Sequence, residues 1–285
     1  MPTISVIVPA MNEAQNLSHV LPRIPRGVHE VILVDGHSTD DTIAVAQRLM
    51  PEIRIVQQQG RGKGAALRTG FAAASGDIIV MIDADGSTAP EEIPAYVRAL
   101  TDGADYAKGS RFLPGGGTSD MPLHRKLGNM AFVYMVRLFF GGHYTDLCYG
   151  YNAFWARVVP MLELDRDGFE IETEMNIRVL RRGLTVAEVP SFESARVYGV
   201  GRLRTIPDGW RVLKTIFRER FRTQLGPVVR PVPTALAGVG TPVMADRSPR
   251  FPIAFEILRG EVAPEIQALA EEHDPVPARV AAGTE

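Results

Sequence analysis

Four runs of apolar, largely β-branched residues punctuate the first 85 positions: 3–9 (TISVIVP), 30–35 (EVILVD), 53–58 (IRIVQQ) and 77–85 (DIIVMIDAD). Their cores are continuously apolar rather than alternating, which is the pattern of strands covered on both faces. Between them the spacing predicts helices that begin at Glu13 (EAQNLSHVLPRI), Asp40 (DDTIAVAQRLM) and Gly62 (GKGAALRTGFAAAS). Strand and helix in alternation predict an α/β fold with a doubly wound, mostly parallel sheet. Ligands of such sheets sit beyond the carboxyl ends of the strands. Here those ends are residues 9–13, Asp35 and residues 83–85, and each carries an acid.

After Asp105 the pattern loosens into a Gly-rich loop with basic residues (KGSRFLPGGGTSDMPLHRKLGN), followed by an apolar helix over 130–142. A helix is predicted from Phe169 (FEIETEMNIRVLRRG), a strand over 184–194 (LTVAEVPSFES) and a basic amphipathic helix over 206–222. That last segment spaces Trp210, Leu213, Phe217 and Phe221 by three, four and four residues, with Arg211, Lys214, Arg218 and Arg222 around them. Such a stripe packs on the domain or rests peripherally on an anionic membrane surface, and the spacing alone leaves both open. From Gly226 the composition shifts: nine of the chain's 21 prolines fall in the last 60 residues. The expected organisation is therefore one domain over residues 1–222 and a Pro-rich tail over 223–285, partly disordered or loosely docked.

A formal net charge of -2 in 285 residues excludes generic nucleic-acid binding, so any anion site has to be local. The single cysteine, Cys148, can neither close an internal disulfide nor build a cysteine zinc cluster, which fits a reducing compartment. No basic-then-apolar leader opens the chain, and the apolar run at 130–142 is interrupted by Arg137. It falls short of the ~20 residues a spanning helix needs. A cytoplasmic location is the expectation, with possible contact at the cytoplasmic membrane face.

The chemistry concentrates at the strand ends. Asp83 and Asp85, two apart, can present oxygens to one hard cation, Mg²⁺ or Mn²⁺; the alternative is that they cap the following helix, a task Ser87 or Thr88 suits. Asp35 is a candidate for base or ribose contacts, whereas residues 38–41 suit helix capping. Lys63 stands in a Gly-rich turn that lacks the Walker arrangement, so its value is positional. Arg111, Arg125, Arg196 and Arg202 are candidates for phosphate, because a guanidinium fork matches two phosphate oxygens. For each of them a solvated surface position is the competing reading.

Taken in order, these motifs resemble family 2 glycosyltransferases with a GT-A fold, and within them the dolichyl-phosphate mannose synthase and polyprenyl-phosphate glycosyltransferase branch, over residues 4–222. VPAMNE is similar to the family's opening motif and carries Pro9, Asn12 and Glu13. VDGHSTDDT resembles the second, with Gly36 where a second acid is usual. GKGAALRTG supplies Lys63, DADGS the metal motif, GSRF Arg111, TDLCYGY Asp146 and GFEIETEM Glu174. RVYGVGRL resembles a phosphate-side segment, with Gly201 and Arg202 in place of Ser-Lys.

The resemblance implies an inverting, metal-dependent transfer of a hexose from a nucleotide-diphosphate sugar of the GDP-mannose or UDP-glucose type. Pro9, Asn12, Glu13, Asp35, Lys63, Asp83 and Arg111 are the expected donor contacts, and Asp83 and Asp85 the metal ligands. Asp146, Glu174 and Arg202 are the expected catalytic residues; Arg125, Arg196 and Arg202 face the acceptor phosphate. Polyprenyl phosphate is the favoured acceptor. The alternative is a soluble hydroxyl, which needs a carboxylate base from among Asp146, Glu172 and Glu174. A sugar nucleotidyltransferase and a non-catalytic nucleotide-binding protein are the rival classes.

Overall fold

The computed structural model describes residues 1–119 and 121–222. The expected boundary after residue 222 and the Pro-rich tail fall at or outside the limit of the described residues. In chain order the elements are β1 (Ile4–Ala10), β2 (Glu30–Asp35), α1 (Thr42–Leu49), β3 (Arg54–Gln57), α2 (Lys63–Ala73), β4 (Ile78–Met81), α3 (Ile93–Thr101), β5 (Tyr106–Ser110) and β6 (Gly117–Thr118). Then follow α4 (Leu123–Phe140), β7 (Asn152–Trp155), α5 (Val159–Leu162), α6 (Ile171–Arg181), β8 (Val186–Pro190), β9 (Phe192–Glu193) and α7 (Thr205–Phe221).

Seven strands form one sheet in the order β3-β2-β1-β4-β7-β5-β8, parallel except for β7, which runs against both neighbours. The period-two geometry of a strand sends alternate residues to opposite faces. Val6, Val8, Ile78 and Val80 thus meet α1 and α3 on one side, while Ile7, Ile79 and Met81 meet α2 and α6 on the other. A third cluster joins α4, α6 and α7 through Val133, Val136, Ile177, Val212 and Ile216. From β1 the chain winds outward to β2 and β3, then crosses back to place β4 on the other side of β1. The carboxyl ends of β1 and β4 therefore flank the point where the winding reverses, which is where doubly wound sheets open a crevice.

Three expectations are corrected. The helix expected from Glu13 is two 3-10 turns, Leu17–His19 and Leu21–Arg23. Pro22 and Pro25 lack the amide hydrogens that would carry a helix through. Residues 184–194 are not one strand: the chain changes sheets at Ser191, so that β8 pairs with β5 and β9 with β6. The loop expected from Lys108 begins inside strand β5, where Lys108 sits fully buried, and β7, for which no strand was expected, opens on the equally buried Asn152. The Lys108 ammonium is satisfied by the carbonyls of Gly109 and Tyr149, each at 2.9 Å. Burial nevertheless pulls its pKa down to about 8.

Glu30 at the start of β2 ties three segments together. Its carboxylate accepts from Ser5 Oγ at 2.7 Å and from both Ser75 N and Ser75 Oγ at 2.7 Å. Burial opposes its charge, but these hydrogen bonds and Arg54 prevail and bring its pKa from 4.5 to about 2. A depressed folded-state pKa stabilises above the unfolded value and loses that contribution as pH falls through the folded one. Glu30→Gln is thus expected to lower stability at pH 7 and to lower it progressively less between pH 4.5 and pH 2. The difference between urea midpoints of the two proteins measures this; a difference that does not change with pH would contradict it.

Candidate active site

A cleft of about 480 Å³ opens over the carboxyl ends of β1 and β4. Lys63, at the first position of α2, reaches across its floor with Nζ 2.6 Å from Asp83 Oδ1 and 2.9 Å from Glu172 Oε1. Burial by itself would lower the pKa of Lys63, but the two carboxylates outweigh it and raise it, so the side chain stays charged. Burial pushes Glu172 upward, against the pull of Lys63. Gly150 abuts this cluster: a Cβ there would stand 2.8 Å from Lys63 Nζ and 2.9 Å from Asp83 Oδ2, so no larger residue fits without displacing the charges.

The second cluster is built by the segment after β9. Arg196 places Nη2 2.5 Å from Glu13 Oε2 and Nη1 3.3 Å from Asp85 Oδ2. Asp85 also accepts from Ser87 N at 3.0 Å, which holds the turn after β4. The segment is fastened further by Asn16, which exchanges hydrogen bonds with the backbone of Tyr198. Arg202 donates to the carbonyl of Met11 at 2.8 Å. The two aspartates of the DADGS turn thus both face the cleft, each with a different cation.

Of the residues expected from the sequence, Pro9, Glu13, Lys63, Asp83, Asp85, Arg111, Arg125, Arg196 and Arg202 line the cleft. Four do not. Asn12 adopts a positive φ of 56° and its side-chain oxygen accepts from Thr39 N at 2.7 Å, so it joins two loops. Asp35 is 1% exposed, its carboxylate taken by Ser38 N at 3.2 Å and Gln57 Nε2 at 3.0 Å. Asp146 is fully buried behind Arg111, which binds it bidentately at 2.6 and 2.9 Å. Burial disfavours that carboxylate's charge, but Arg111 outweighs it and lowers the pKa, leaving a locked anion rather than an accessible base. Arg111 is held in turn by Glu193 at 2.9 Å.

Glu174 is the clearest correction. It is fully buried on the far side of α6, 2.6 Å from Arg178, and accepts from the backbone of Asp165 and Arg166 at 3.0 and 3.1 Å. Arg178, also fully buried, continues to Glu219 of α7 at 2.8 Å. Glu172 is the glutamate of α6 that enters the cleft. Every residue from Ile171 to Val179 is buried, so α6 presents no polar face from which periodicity could choose between them. Glu193 also escaped notice, because nothing in its local pattern marks it as the partner of an arginine 82 positions away.

The family profile described as "Glycosyl transferase family 2" matches residues 5–159. The chain belongs to glycosyl transferase family 2. It is 32% identical over 210 residues to the dolichol-phosphate mannosyltransferase of Pyrococcus furiosus, a match spanning 70% of this chain and 59% of that protein. It is 31% identical over 211 residues to the polyprenol monophosphomannose synthase of Mycolicibacterium smegmatis, covering 70% of this chain and 80% of that one. Among solved structures, glucosyl-3-phosphoglycerate synthase of Mycobacterium tuberculosis, in complex with Mn²⁺, uridine-diphosphate and glucosyl-3-phosphoglycerate, superposes with a TM-score of 0.60 at 25% identity. That likeness covers 76% of this chain and 80% of the other. The protein is a GT-A glycosyltransferase, and the resemblance to the polyprenyl-phosphate branch stands.

The two glutamates of α6 should separate by experiment. Removing one partner of a fully buried ion pair costs about 3 kcal/mol or more, so Glu174→Ala is expected to lower the unfolding free energy by that order. Glu172→Gln keeps the volume and leaves Lys63 paired with Asp83, and its cost should be about 1 kcal/mol. Denaturant titration of both variants measures the ranking; the reverse order would exchange their roles.

Proposed function

We propose that this glycosyltransferase moves a hexose, with inversion, from a nucleotide-diphosphate sugar of the GDP-mannose or UDP-glucose type to a polyprenyl phosphate. The observation that carries the acceptor is the state of the cleft's acids. Every carboxylate lining it among the described residues is ion-paired: Glu13 and Asp85 with Arg196, Asp83 and Glu172 with Lys63, Glu193 with Arg111, Asp208 with Arg211. A sugar hydroxyl needs a base to remove its proton. A phosphate monoester, with a second pKa of about 6, reaches the cleft already ionised. A site without an unengaged base suits the second nucleophile, and the similarity to a dolichol-phosphate mannosyltransferase and a polyprenol monophosphomannose synthase supports the same reading.

The donor set fits a hard divalent cation. Among the described residues no three His, Cys, Asp or Glu are placed to hold one metal ion together, so the chain itself would offer the pair Asp83 and Asp85. That is the provision Mg²⁺-type sites make when substrate phosphates and water complete the shell. Once bound, Mg²⁺ or Mn²⁺ supplies Lewis-acid stabilisation of the departing diphosphate. Lys63 holds Asp83 in place and adds fixed positive charge at the floor of the cleft. Glu13 and Arg196 orient Asp85 from the other wall. Arg125 and Arg202 present guanidinium groups at the same opening, where an acceptor phosphate is drawn in line with the anomeric carbon.

A soluble acceptor is the second reading. It is favoured by the structural likeness to a synthase whose complex contains glucosyl-3-phosphoglycerate. Incubation with each donor, Mn²⁺ or Mg²⁺, and either short-chain polyprenyl phosphate or phosphoglycerate discriminates the two, and NMR of the product's anomeric proton reports inversion. Transfer to phosphoglycerate or a free sugar, with none to polyprenyl phosphate under any donor, would overturn the lipid acceptor.

Asp85→Asn should abolish transfer and Mn²⁺ binding by titration calorimetry while the thermal transition persists, because the side chain lies at a loop and outside the core. Retained turnover would remove it from the metal set. Arg202→Ala is expected to raise KM for the phosphate acceptor about tenfold or more, the scale of a lost charge-assisted hydrogen bond. Its donor affinity should stay near that of the unaltered protein; an equal loss of both would place Arg202 on the donor instead.

A further inference from the structure

Helix α4 is apolar over most of its circumference. Leu123, Leu127, Met130, Tyr134 and Leu138, spaced four, three, four and four, form a stripe along its outer side and are 54–71% exposed. Arg137 is the only charged residue among positions 127–140, and its guanidinium is turned onto the carbonyl of Tyr144. Helix α7 repeats the arrangement. It packs on the domain through Asp208, Val212, Thr215, Ile216 and Glu219, and leaves Ile206, Trp210, Phe217 and Phe221 in solvent. The two helices lie side by side and run in the same direction, with Phe132 beside Gly209 and the rings of Phe139 and Phe217 5.8 Å apart. Their stripes are joined by partly exposed Met135 and Phe139.

A monomeric soluble protein rarely leaves a contiguous apolar surface of this kind uncovered. We infer that α4 and α7 together form a docking face for the surface of an anionic lipid bilayer. Charge decides the occupant. Helix α4 contains no Asp or Glu, and the two acids of α7, Asp208 and Glu219, are 6% and 1% exposed. The two helices therefore show lipid no carboxylate of their own, and the Asp165 and Glu163 carboxylates beside the end of α7 are paired with Arg218 and Arg222, while Lys126, Arg211 and Lys214 rim the face; Lys214 stands 5.6 Å over the Trp210 ring. Apolar and aromatic residues toward the acyl boundary with Lys and Arg at the headgroups is the composition of an interfacial helix. A second copy of the same basic face would meet it with like charge. Position agrees: His124, Arg125 and Gly128 of α4, and Thr205 and Gly209 of α7, line the cleft, so its mouth lies at the shared N-terminal end of the two helices. A protein seated this way presents its phosphate-binding arginines at the headgroup level.

The geometry stands on the two helices alone; its purpose rests on the lipid-phosphate reading above. The test is flotation of the full chain with vesicles of phosphatidylcholine, with and without phosphatidylglycerol, in the absence of donor and acceptor. Binding to the anionic vesicles is expected, weaker at high salt, and Tyr134→Asp and Phe221→Asp should each reduce it about tenfold, the scale of one aromatic side chain kept from burial. Both positions are exposed, so the fold tolerates the change, and transfer to a water-soluble acceptor analogue should be unaltered. A photoreactive benzoylphenylalanine in place of Tyr134 should crosslink to lipid. Crosslinking to a second copy, or to residues 223–285 with their eight acids against five basic residues, would overturn the proposal. So would absence of flotation. Flotation by a protein that glycosylates only soluble acceptors would keep the docking face and remove the lipid acceptor, which separates the two failures.

Discussion

Lys63 is the cation around which the cleft is assembled. It stands where α2 begins, yet its partners come from the turn after β4 and from α6, 20 and 109 positions further along the chain. An ammonium so enclosed is stable only with carboxylates against it. Asp83 and Glu172 would repel one another without it. The result is mutual dependence: the DADGS turn, the Gly-rich turn and the wall supplied by α6 take their positions from one another. The close approach of Gly150 shows how little room remains around that arrangement.

In the half of the sheet formed by β1 to β4, β1, β2 and β4 were legible because helices bury them on both faces, while the half-buried edge strand β3 is marked only by its β-branched pair Ile55 and Val56. Continuous apolar runs and intervening helical spacing are what such burial requires. The other half was not legible, and Lys108 and Asn152 are the reason. Each is polar and fully buried, Lys108 held by the carbonyls of Gly109 and Tyr149 and Asn152 donating its Nδ2 to the carbonyl of Gly150, contacts formed only in the folded protein, so local pattern marks neither β5 nor β7 as a strand. The antiparallel insertion of β7 likewise follows from tertiary pairing and not from propensity.

For the site, the residues at strand ends were legible because topology alone brings them together. Asp83, Asp85, Glu13 and Lys63 need only the strand order to become neighbours. Choosing among acids within a helix was another matter. Glu172 and Glu174 lie two positions apart on an element buried all round, and only the location of Arg178 and the loop at 165–166 decides which of them turns inward. The stripe of α7 shows the same limit from the opposite side. Its aromatic spacing suits a core face, but the ion pairs of Glu219 with Arg178 and Arg181 orient the helix so that the aromatics point outward.

Those ion pairs also bear on how the sequence can drift. Glu174, Arg178 and Glu219 occupy two helices and meet where none of the three is exposed to solvent by more than 1%. Any one of them replaced alone leaves a buried charge short of a partner, a deficit comparable with a large part of what holds an ordinary domain folded. Replacement of all three by apolar residues of matched volume removes the fully buried charges together and leaves only Arg181, 18% exposed, to take its partner from water. Homologues should therefore carry either the complete set or none of it, with intermediate combinations rare, and an alignment of relatives should show positions 174, 178 and 219 changing as a unit.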